Sequence, residues 1–264
     1  MTEVSEAPAA SAERALAGLP IRQLTLPGIL GVWAAAAVPM AVAAWVLAPM
    51  FAAGSASTIA LAQALIVLLT AAMAWQFVMV MVLVFLEQRS LRWAVVRDAL
   101  WLRAPQNPKT GKRGGRMWWV VPIAVVAFAL VELLPFEIPP VAGHDFGAFL
   151  GAPEGQAMLS ASLPWLLLIF AFLVFNTVLG EELLFRGYLL PRMSGVFGKG
   201  DWVANGVLFA AYHLHIPWAI PVVLLDTFIF SLPSRRYRSA VIGIIAHSAQ
   251  SVFIFALVVA LVLS

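Results

Sequence analysis

Residues 163–186, LPWLLLIFAFLVFNTVLGEELLFR, decide the fold class, because an apolar run of membrane-spanning length ends on two carboxylates and an arginine. The hydrocarbon core of a bilayer, about 30 Å thick, is crossed by about 20 apolar helical residues. A charged side chain at the centre of such a helix costs about 2.5–3.5 kcal/mol on insertion scales. The stretch therefore predicts a membrane helix whose charged end is paired or has a function.

The composition of the whole chain is that of an integral membrane protein. Of its 264 residues, 62% are hydrophobic and 11% are charged, whereas a soluble domain has about 45–50% apolar and 25% charged residues. These values predict an all-α, polytopic helix bundle of about seven to eight transmembrane segments in a single membrane domain, residues 28–264. Besides 163–180, the apolar runs of suitable length are 28–50, 57–86, 117–136 and 239–264.

The segment 203–233 does not fit a pair of ordinary spans. It is too short for two crossings of about 20 residues each, and Pro217 and Pro221 interrupt it. Basic residues precede and follow it, so both of its ends are expected on one side of the membrane. We therefore expect short or broken helices that line a cavity buried in protein.

The distribution of basic residues predicts the orientation. Residues 87–116 carry eight of the 16 Lys and Arg residues, and the positive-inside rule places such a loop in the cytoplasm. Residues 137–162 carry none and are expected on the opposite side. Residues 1–27 are then a flexible cytoplasmic tail, and the protein is expected in the plasma membrane. The basic residues lie in loops and form no stripe of the kind that binds nucleic acid.

Ionisable residues inside membrane segments are candidates for a functional site, because hydrocarbon penalises them. A rise of about 1.5 Å per helical residue places Glu181, His213 and His247 at one level in the cytoplasmic half of the bundle. Glu132 is expected at the far end of its span, and Asp226 is expected to be satisfied by a nearby hydroxyl, from Thr227 or Ser231. The six candidates are Glu132, Glu181, Glu182, His213, Asp226 and His247.

Local spacing separates the two adjacent glutamates. Glu182 precedes Arg186 by four residues, the favourable order for a helical ion pair, whereas Glu181 is turned by about 100° and stays free for chemistry. Four-residue spacing also gives each histidine a neighbour on its own helix face, which can orient it or complete a site. These neighbours are Phe209 for His213 and Ser251 for His247.

A carboxylate, two imidazoles and a hydroxyl in a water-filled cavity are suited to amide hydrolysis. A carboxylate paired with a histidine can activate water as a general base, and a second histidine with a hydrogen-bond donor can stabilise the oxyanion. Glu181, His213 and His247 are equally a possible Zn²⁺ ligand set. The absence of an H-E-x-x-H motif favours a metal-free site, and the absence of cysteine excludes thiolate chemistry.

Three motifs resemble those of the CPBP family, the CAAX-protease, bacteriocin-processing and abortive-infection membrane proteins. EELLFR (181–186) is similar to EExxxR, FAAYH (209–213) to FxxxH, and HSAQS (247–251) to HxxxN/D. The resemblance covers about residues 165–255 and implies a protease-like core at about 117–264. It differs at Ser251, where the family usually has Asn or Asp.

The resemblance implies a glutamate-dependent intramembrane endopeptidase with a cavity that opens to the cytoplasm. Glu181 and His213 would activate water, and His247 with Ser251 would form the oxyanion site. Glu182 and Arg186 would support them. The substrate would be a peptide or membrane protein, prenylated in the case of CAAX-type processing, with leader-peptide or pheromone processing as the alternatives.

Two other functions are compatible with the same residues. A proton-coupled transporter also keeps Glu, Asp and His in short, Pro-broken helices near the middle of the membrane. A non-catalytic immunity or scaffold protein of the same family would explain Ser251.

Overall fold

The computed structural model describes residues 20–55, 57, 59–134, 138–160 and 163–263 of the chain, and within them it contains helices and no strand. This confirms the predicted all-α membrane bundle. In chain order the helices are α1 (Leu26–Ala52), α2 (Ala60–Gln88), α3 (Trp93–Ala99), α4 (Gly115–Val131), α5 (Phe146–Gly151), α6 (Pro153–Ser160), α7 (Leu163–Arg192), α8 (Ser194–Phe197), α9 (Asp201–Tyr212), α10 (Ile220–Val223), α11 (Leu232–Tyr237) and α12 (Val241–Leu263).

Four helices among the described residues are long and apolar enough to cross a membrane: α1, α2, α7 and α12. A fifth span is possible if the helical segments Pro217–Val223 and Thr227–Tyr237, which meet at a bend of 48°, count as one. This bent pair confirms the broken helices predicted within 203–233. The other predicted segments are shorter helices, of which α4 is the most apolar.

Helix α7 is longer than the sequence predicted. It was expected to end at about residue 180, but the helix is 30 residues long and ends at Arg192. Glu181 therefore lies 11 residues before the end of the helix, about 16 Å away at 1.5 Å per residue, near the middle of the span. The predicted position at the cytoplasmic end was wrong, because Glu182 and Arg186 neutralise each other and can be buried inside the bundle.

The boundary of the predicted N-terminal tail was also placed too late. The backbone N–H of Leu24 donates to the carbonyl of Arg192 at 3.0 Å, and the Gln23 amide donates to the carbonyl of Pro191 at 3.0 Å. The hydroxyl of Thr25 then caps α1 by accepting from the N–H of Gly28. These bonds fix the described end of the tail to the bundle, and residues 1–19 lie outside the described part.

Arg192 connects α7 to the end of α2. The sequence placed it in a solvated cytoplasmic connector, but its side chain is fully buried. It forms an ion pair with Glu87 at 2.7 Å and donates to the carbonyls of Ala99 and Tyr188. A buried charge that is paired and hydrogen-bonded is tolerated, and this one joins three elements at the basic face of the bundle.

Candidate active site

Two π-helical segments of α7, Phe175–Gly180 and Leu183–Leu189, flank the adjacent glutamates. In the first segment the N–H of Glu181 donates to the carbonyl of Asn176, five residues earlier. In a regular α-helix these two residues would be about 140° apart at 100° per residue. A turn closed by an i→i+5 bond holds one residue more, so Asn176 and Glu181 come onto the same face, and both line one cavity.

Glu181 and His213 meet across that cavity. Glu181 is 1% exposed, and its Oε1 lies 4.0 Å from Nε2 of His213. His213 follows α9 directly, and its Nδ1 bonds to the carbonyl of Phe209 at 2.9 Å. Because a carbonyl only accepts, Nδ1 carries the hydrogen and the Nε2 of a neutral ring presents a lone pair to Glu181. The structure therefore joins the two residues that the sequence predicted as a pair.

The 4.0 Å separation suits a water molecule held by both groups. If a water oxygen lay about 2.8 Å from each atom, the angle acceptor–oxygen–acceptor would be about 90°, close to the H–O–H angle of water. The two acceptors would thus take both hydrogens of one water and direct its lone pairs into the cavity. This arrangement can activate water for attack on a carbonyl.

Tyr212 and Gln76 lie behind Glu181. The Tyr212 hydroxyl lies next to the Glu181 carboxyl group and accepts from the Gln76 amide at 2.7 Å. Both Tyr212 and Gln76 are fully buried. The sequence singled out Tyr212 as a further polar candidate but not Gln76, although a glutamine in the middle of an apolar span was a usable signal. Together they position Glu181 from the side of α2.

Glu182 contacts two partners with one carboxylate oxygen. Its Oε1 accepts from Arg186 Nη1 at 2.9 Å and from His247 Nδ1 at 3.2 Å. The sequence predicted the first contact but not the second, which joins residues 65 positions apart. Because Nδ1 of His247 donates to Glu182, its Nε2 is left for the cavity. Glu182 thus orients His247 as well as pairing with Arg186.

Aromatic rings surround the buried charges. The Arg186 guanidinium lies 3.9 Å from the centroid of the Phe209 ring, a favourable cation–π position. His247 stacks on Phe230 with ring centroids 5.3 Å apart and an angle of 18° between the planes. Phe209, the predicted neighbour of His213, thus contacts both His213 and Arg186.

Gly243 of α12 provides the space that Glu182 occupies. A Cβ atom at this position would collide with Oε2 of Glu182. We therefore expect Gly243→Ala to lower the free energy of unfolding by about 1–3 kcal/mol, the usual cost of overpacking. Thermal unfolding in detergent measures this effect.

A matched control for this prediction is Gly31→Ala in α1. A Cβ atom at Gly31 would meet nothing within 4 Å, so the substitution should be neutral or stabilising by up to about 1 kcal/mol. Equal effects of the two substitutions would show that Gly243 is not required for packing against Glu182.

The cavity has a volume of about 890 Å³ and extends well beyond the catalytic candidates. It follows α2 from Met73 to Ala62, towards the end of α2 that is opposite the basic loop. Its exposed lining residues lie at the same end and include Leu134 and Ile138. The resemblance implied a cavity that opens to the cytoplasm; the exposed part of the described lining lies towards the acidic segment 138–160.

The cavity wall also contains candidates that the sequence had assigned elsewhere. Glu132, predicted at a different level, lies at the rim, where its Oε1 accepts from the Gln250 amide at 3.4 Å. His144, in the acidic segment 138–160, stacks on Trp45 with ring centroids 4.5 Å apart. The polar residues of the lining are Glu132, His144, Asp145, Asn176, Glu181, His213, His215, Asp226, His247 and Gln250.

Ser251 has a different environment from the predicted one. Its hydroxyl donates to Oγ1 of Thr177 at 3.3 Å, and Thr177 in turn donates to the carbonyl of Leu173. Ser251 is buried between α12 and α7 and is not part of the cavity wall. The amide groups on the wall belong to Asn176 and Gln250.

The sequence left open a zinc site at Glu181, His213 and His247. Within the described part of the chain, no group of three or more His, Cys, Asp or Glu side chains is placed to hold a metal ion.

The fold and this site define a class of protein: an integral membrane protein of helices only, with carboxylates and imidazoles facing a cavity inside the bundle. Residues 163–261 match the family model described as Rce1-like, type II CAAX prenyl endopeptidase. This match contains all three motifs and confirms the resemblance to the CAAX-protease family over that part of the chain. The family is one of peptidases. No curated protein and no solved structure matches the chain.

Proposed function

We propose that the protein is an intramembrane endopeptidase that hydrolyses a peptide bond with a water activated by Glu181 and His213. The observation that carries the proposal is the pair of acceptors, Glu181 Oε1 and His213 Nε2, 4.0 Å apart on the cavity wall. The family match supports a peptidase. Loss of peptide cleavage on Glu181→Gln substitution in the reconstituted protein is the test.

The proposed reaction begins with the water between these two groups. One of its protons passes to Glu181 or His213 while its oxygen forms a bond to the substrate carbonyl carbon. The carbonyl π electrons move to the oxygen, which becomes an oxyanion. When the intermediate collapses, the C–N bond breaks, and the same pair returns the proton to the leaving amine. The net change is the addition of one water across the peptide bond.

The oxyanion needs hydrogen-bond donors on the cavity side, and His247 is the first. Its Nδ1–H is fixed on Glu182, and in the protonated ring Nε2–H faces the cavity. The second proposed donor is the side-chain amide of Asn176, because Ser251 donates to Thr177 and Gln250 is bonded to Glu132. Asn176 would thus take the role that the resemblance gave to residue 251.

This assignment predicts different effects for two substitutions. Asn176→Ala should lower kcat by about 10²-fold with little change in KM, the usual loss of one oxyanion donor. Ser251→Ala should change kcat by only a few-fold, because the hydroxyl bonds to Thr177 and does not face the cavity. Steady-state kinetics on a quenched peptide in nanodiscs measures both.

If Ser251→Ala lowered kcat more than Asn176→Ala, Ser251 and not Asn176 would be the oxyanion donor. If cleavage fell in both variants in proportion to their loss of thermal stability, Asn176 and Ser251 would have a structural role only. Far-UV circular dichroism and melting temperature, measured on the same samples, separate these cases.

We also propose the orientation of the site. The charge asymmetry of the loops supports a cytoplasmic N-terminus and a plasma-membrane location. With that topology the cavity mouth at segment 138–160 faces the extracytoplasmic side, and the substrate would enter from there. Metal dependence is tested by activity after dialysis against a chelator, which should leave cleavage by the water-activating pair unchanged.

A further inference from the structure

Apart from its histidines, the ionisable side chains of the described cavity wall are all acidic. Four carboxylates line it, from Glu132, Asp145, Glu181 and Asp226, and among the described residues no Lys or Arg does. Asp145 is already used as the cap of α5, where it accepts from the N–H of Ala148 at 2.9 Å. Three carboxylates therefore remain to interact with whatever enters the cavity.

Asp226 is, with Glu181, one of the two cavity-wall carboxyl groups that are almost fully buried. It lies at the bend between α10 and the π-helical segment Thr227–Ser231 and is only 5% exposed. Its Oδ1 has no hydrogen-bond partner among the groups that the structure describes. A buried polar atom without a partner costs about 1–3 kcal/mol, and more when it is charged, so the position is unfavourable unless a ligand satisfies it.

The neighbours expected to satisfy Asp226 are engaged elsewhere. The Ser231 hydroxyl donates to Oδ1 of Asn205 at 2.9 Å, and the Thr227 side chain packs against Gly206. The guanidinium of Arg186 bonds to Glu182 through Nη1 and lies over Phe209, and its Nε and Nη2 form no hydrogen bond to Asp226. The sequence-based expectation that a nearby hydroxyl would satisfy Asp226 was therefore wrong. Its free oxygen belongs to the cavity.

Glu132 extends the negative charge from the interior to the mouth. It is exposed at the rim, and the one side-chain hydrogen bond it forms with a described residue is from the Gln250 amide, at 3.4 Å. A positively charged group that entered the cavity would meet Glu132 first and Asp226 at the buried end. A carboxylate that entered would meet these carboxylates and, among the described lining residues, no Lys or Arg.

We propose that Asp226, with Glu132 at the rim, binds a Lys or Arg side chain of the substrate peptide close to the scissile bond. The proposal rests on the peptidase function, which supplies the peptide. It names the substrate class: internal segments with a basic residue, not the free C-terminal carboxylate of a short terminal motif. The apolar part of the cavity wall then holds the neighbouring apolar residues of the same segment.

The test is a binding measurement on the full chain in lipid nanodiscs. The probes are three fluorescent, C-terminally amidated nonapeptides that differ only in a central Lys, Gln or Glu, and a fourth with the Gln centre and a free C-terminal carboxylate. Fluorescence anisotropy should give a Kd for the Lys peptide at least about 10-fold lower than for the Glu peptide. The peptide with the free carboxylate should bind more weakly than its amidated counterpart.

Substitutions then identify the residue responsible. The preference is the Kd of the Glu peptide divided by the Kd of the Lys peptide. Asp226→Asn should reduce this ratio to about three-fold or less, and Glu132→Gln should reduce it by a smaller factor. The matched control is Glu154→Gln, which removes an exposed carboxylate that does not line the cavity and should leave the preference unchanged. If Asp226→Asn does not fold, the difference in Kd between the Lys and Glu peptides in the wild-type protein, and its reduction in Glu132→Gln, still test the proposal.

Equal affinity for the Lys and Glu peptides would overturn the proposal, as would a preference that survives in a folded Asp226→Asn variant. Mass spectrometry of the same samples reports cleavage separately. Cleavage without a charge preference would contradict the cation site alone, and a charge preference without cleavage of any peptide would contradict the peptidase function alone.

Discussion

Replacing Glu181 by Gln is expected to lower peptide cleavage by about 10²–10⁴-fold, the range for loss of a general base. The amide has nearly the same size as the carboxylate, so the fold should persist, but it cannot take a proton from the water that Glu181 and His213 would hold. His213→Ala should produce a loss of similar size, because the two acceptors act on one water molecule. Their effects should therefore not add in the double variant.

The measurement is cleavage of a quenched peptide by protein reconstituted in liposomes, with the melting temperature of each variant as the check on folding. Glu154→Gln is the matched control, since Glu154 is exposed on α6. Full activity of Glu181→Gln would contradict the proposed mechanism. A chain that cleaves no peptide in any form, but whose Glu181 variant loses proton-coupled solute uptake, would instead be a transporter.

Replacing Arg186 by Met should have the largest effect on stability. Arg186 and Glu182 are both fully buried and lie 2.9 Å apart, and removal of one partner of such a pair costs about 3–5 kcal/mol, because the other charge stays buried. Met keeps the apolar contact with Phe209 but provides no charge. The loss should appear as a lower midpoint of unfolding in a detergent titration.

The double variant Glu182→Gln/Arg186→Met distinguishes the lost pair from lost packing. It leaves no uncompensated charge, and the glutamine oxygen can still accept from Nδ1 of His247. We expect it to recover at least half of the stability lost in Arg186→Met. A double variant as unstable as the single one would mean that the guanidinium acts mainly through its contacts with Phe209 and Phe230.

The sequence predicted the fold class and the central contact of the site. Composition and apolar runs indicated a helical membrane bundle, because hydrocarbon restricts spanning structures so strongly. The pairing of Glu182 with Arg186 followed from four-residue spacing, which is local to one helix. Counted helical rise placed Glu181, His213 and His247 at one level, and the resemblance to the CPBP family implied the pair of Glu181 with His213.

Other features depend on packing and could not be derived in this way. The extension of α7 through the charged motif depends on partners from α9 and α12, which make burial of the charges possible. The contact of Glu182 with His247 and the hydroxyl contact of Ser251 with Thr177 join distant residues. The position of Asn176 depends on a π-helical turn. The extra residue in such a turn rotates the helix faces that precede it relative to the faces that follow it.

The direction of the cavity has a consequence for the supply of a reactant. Each hydrolysis consumes one water molecule, and Glu181 lies near the middle of a span, where water is scarce. The route from solvent to this residue follows the cavity past Leu134 and Ile138 at the mouth. Water and peptide would therefore share one entrance. While a bound peptide fills the cavity, no new water could reach Glu181, so turnover would be limited by the entry of water after the product leaves. An added bulky side chain at Ile138 should slow cleavage of long peptides and hydration of the site together.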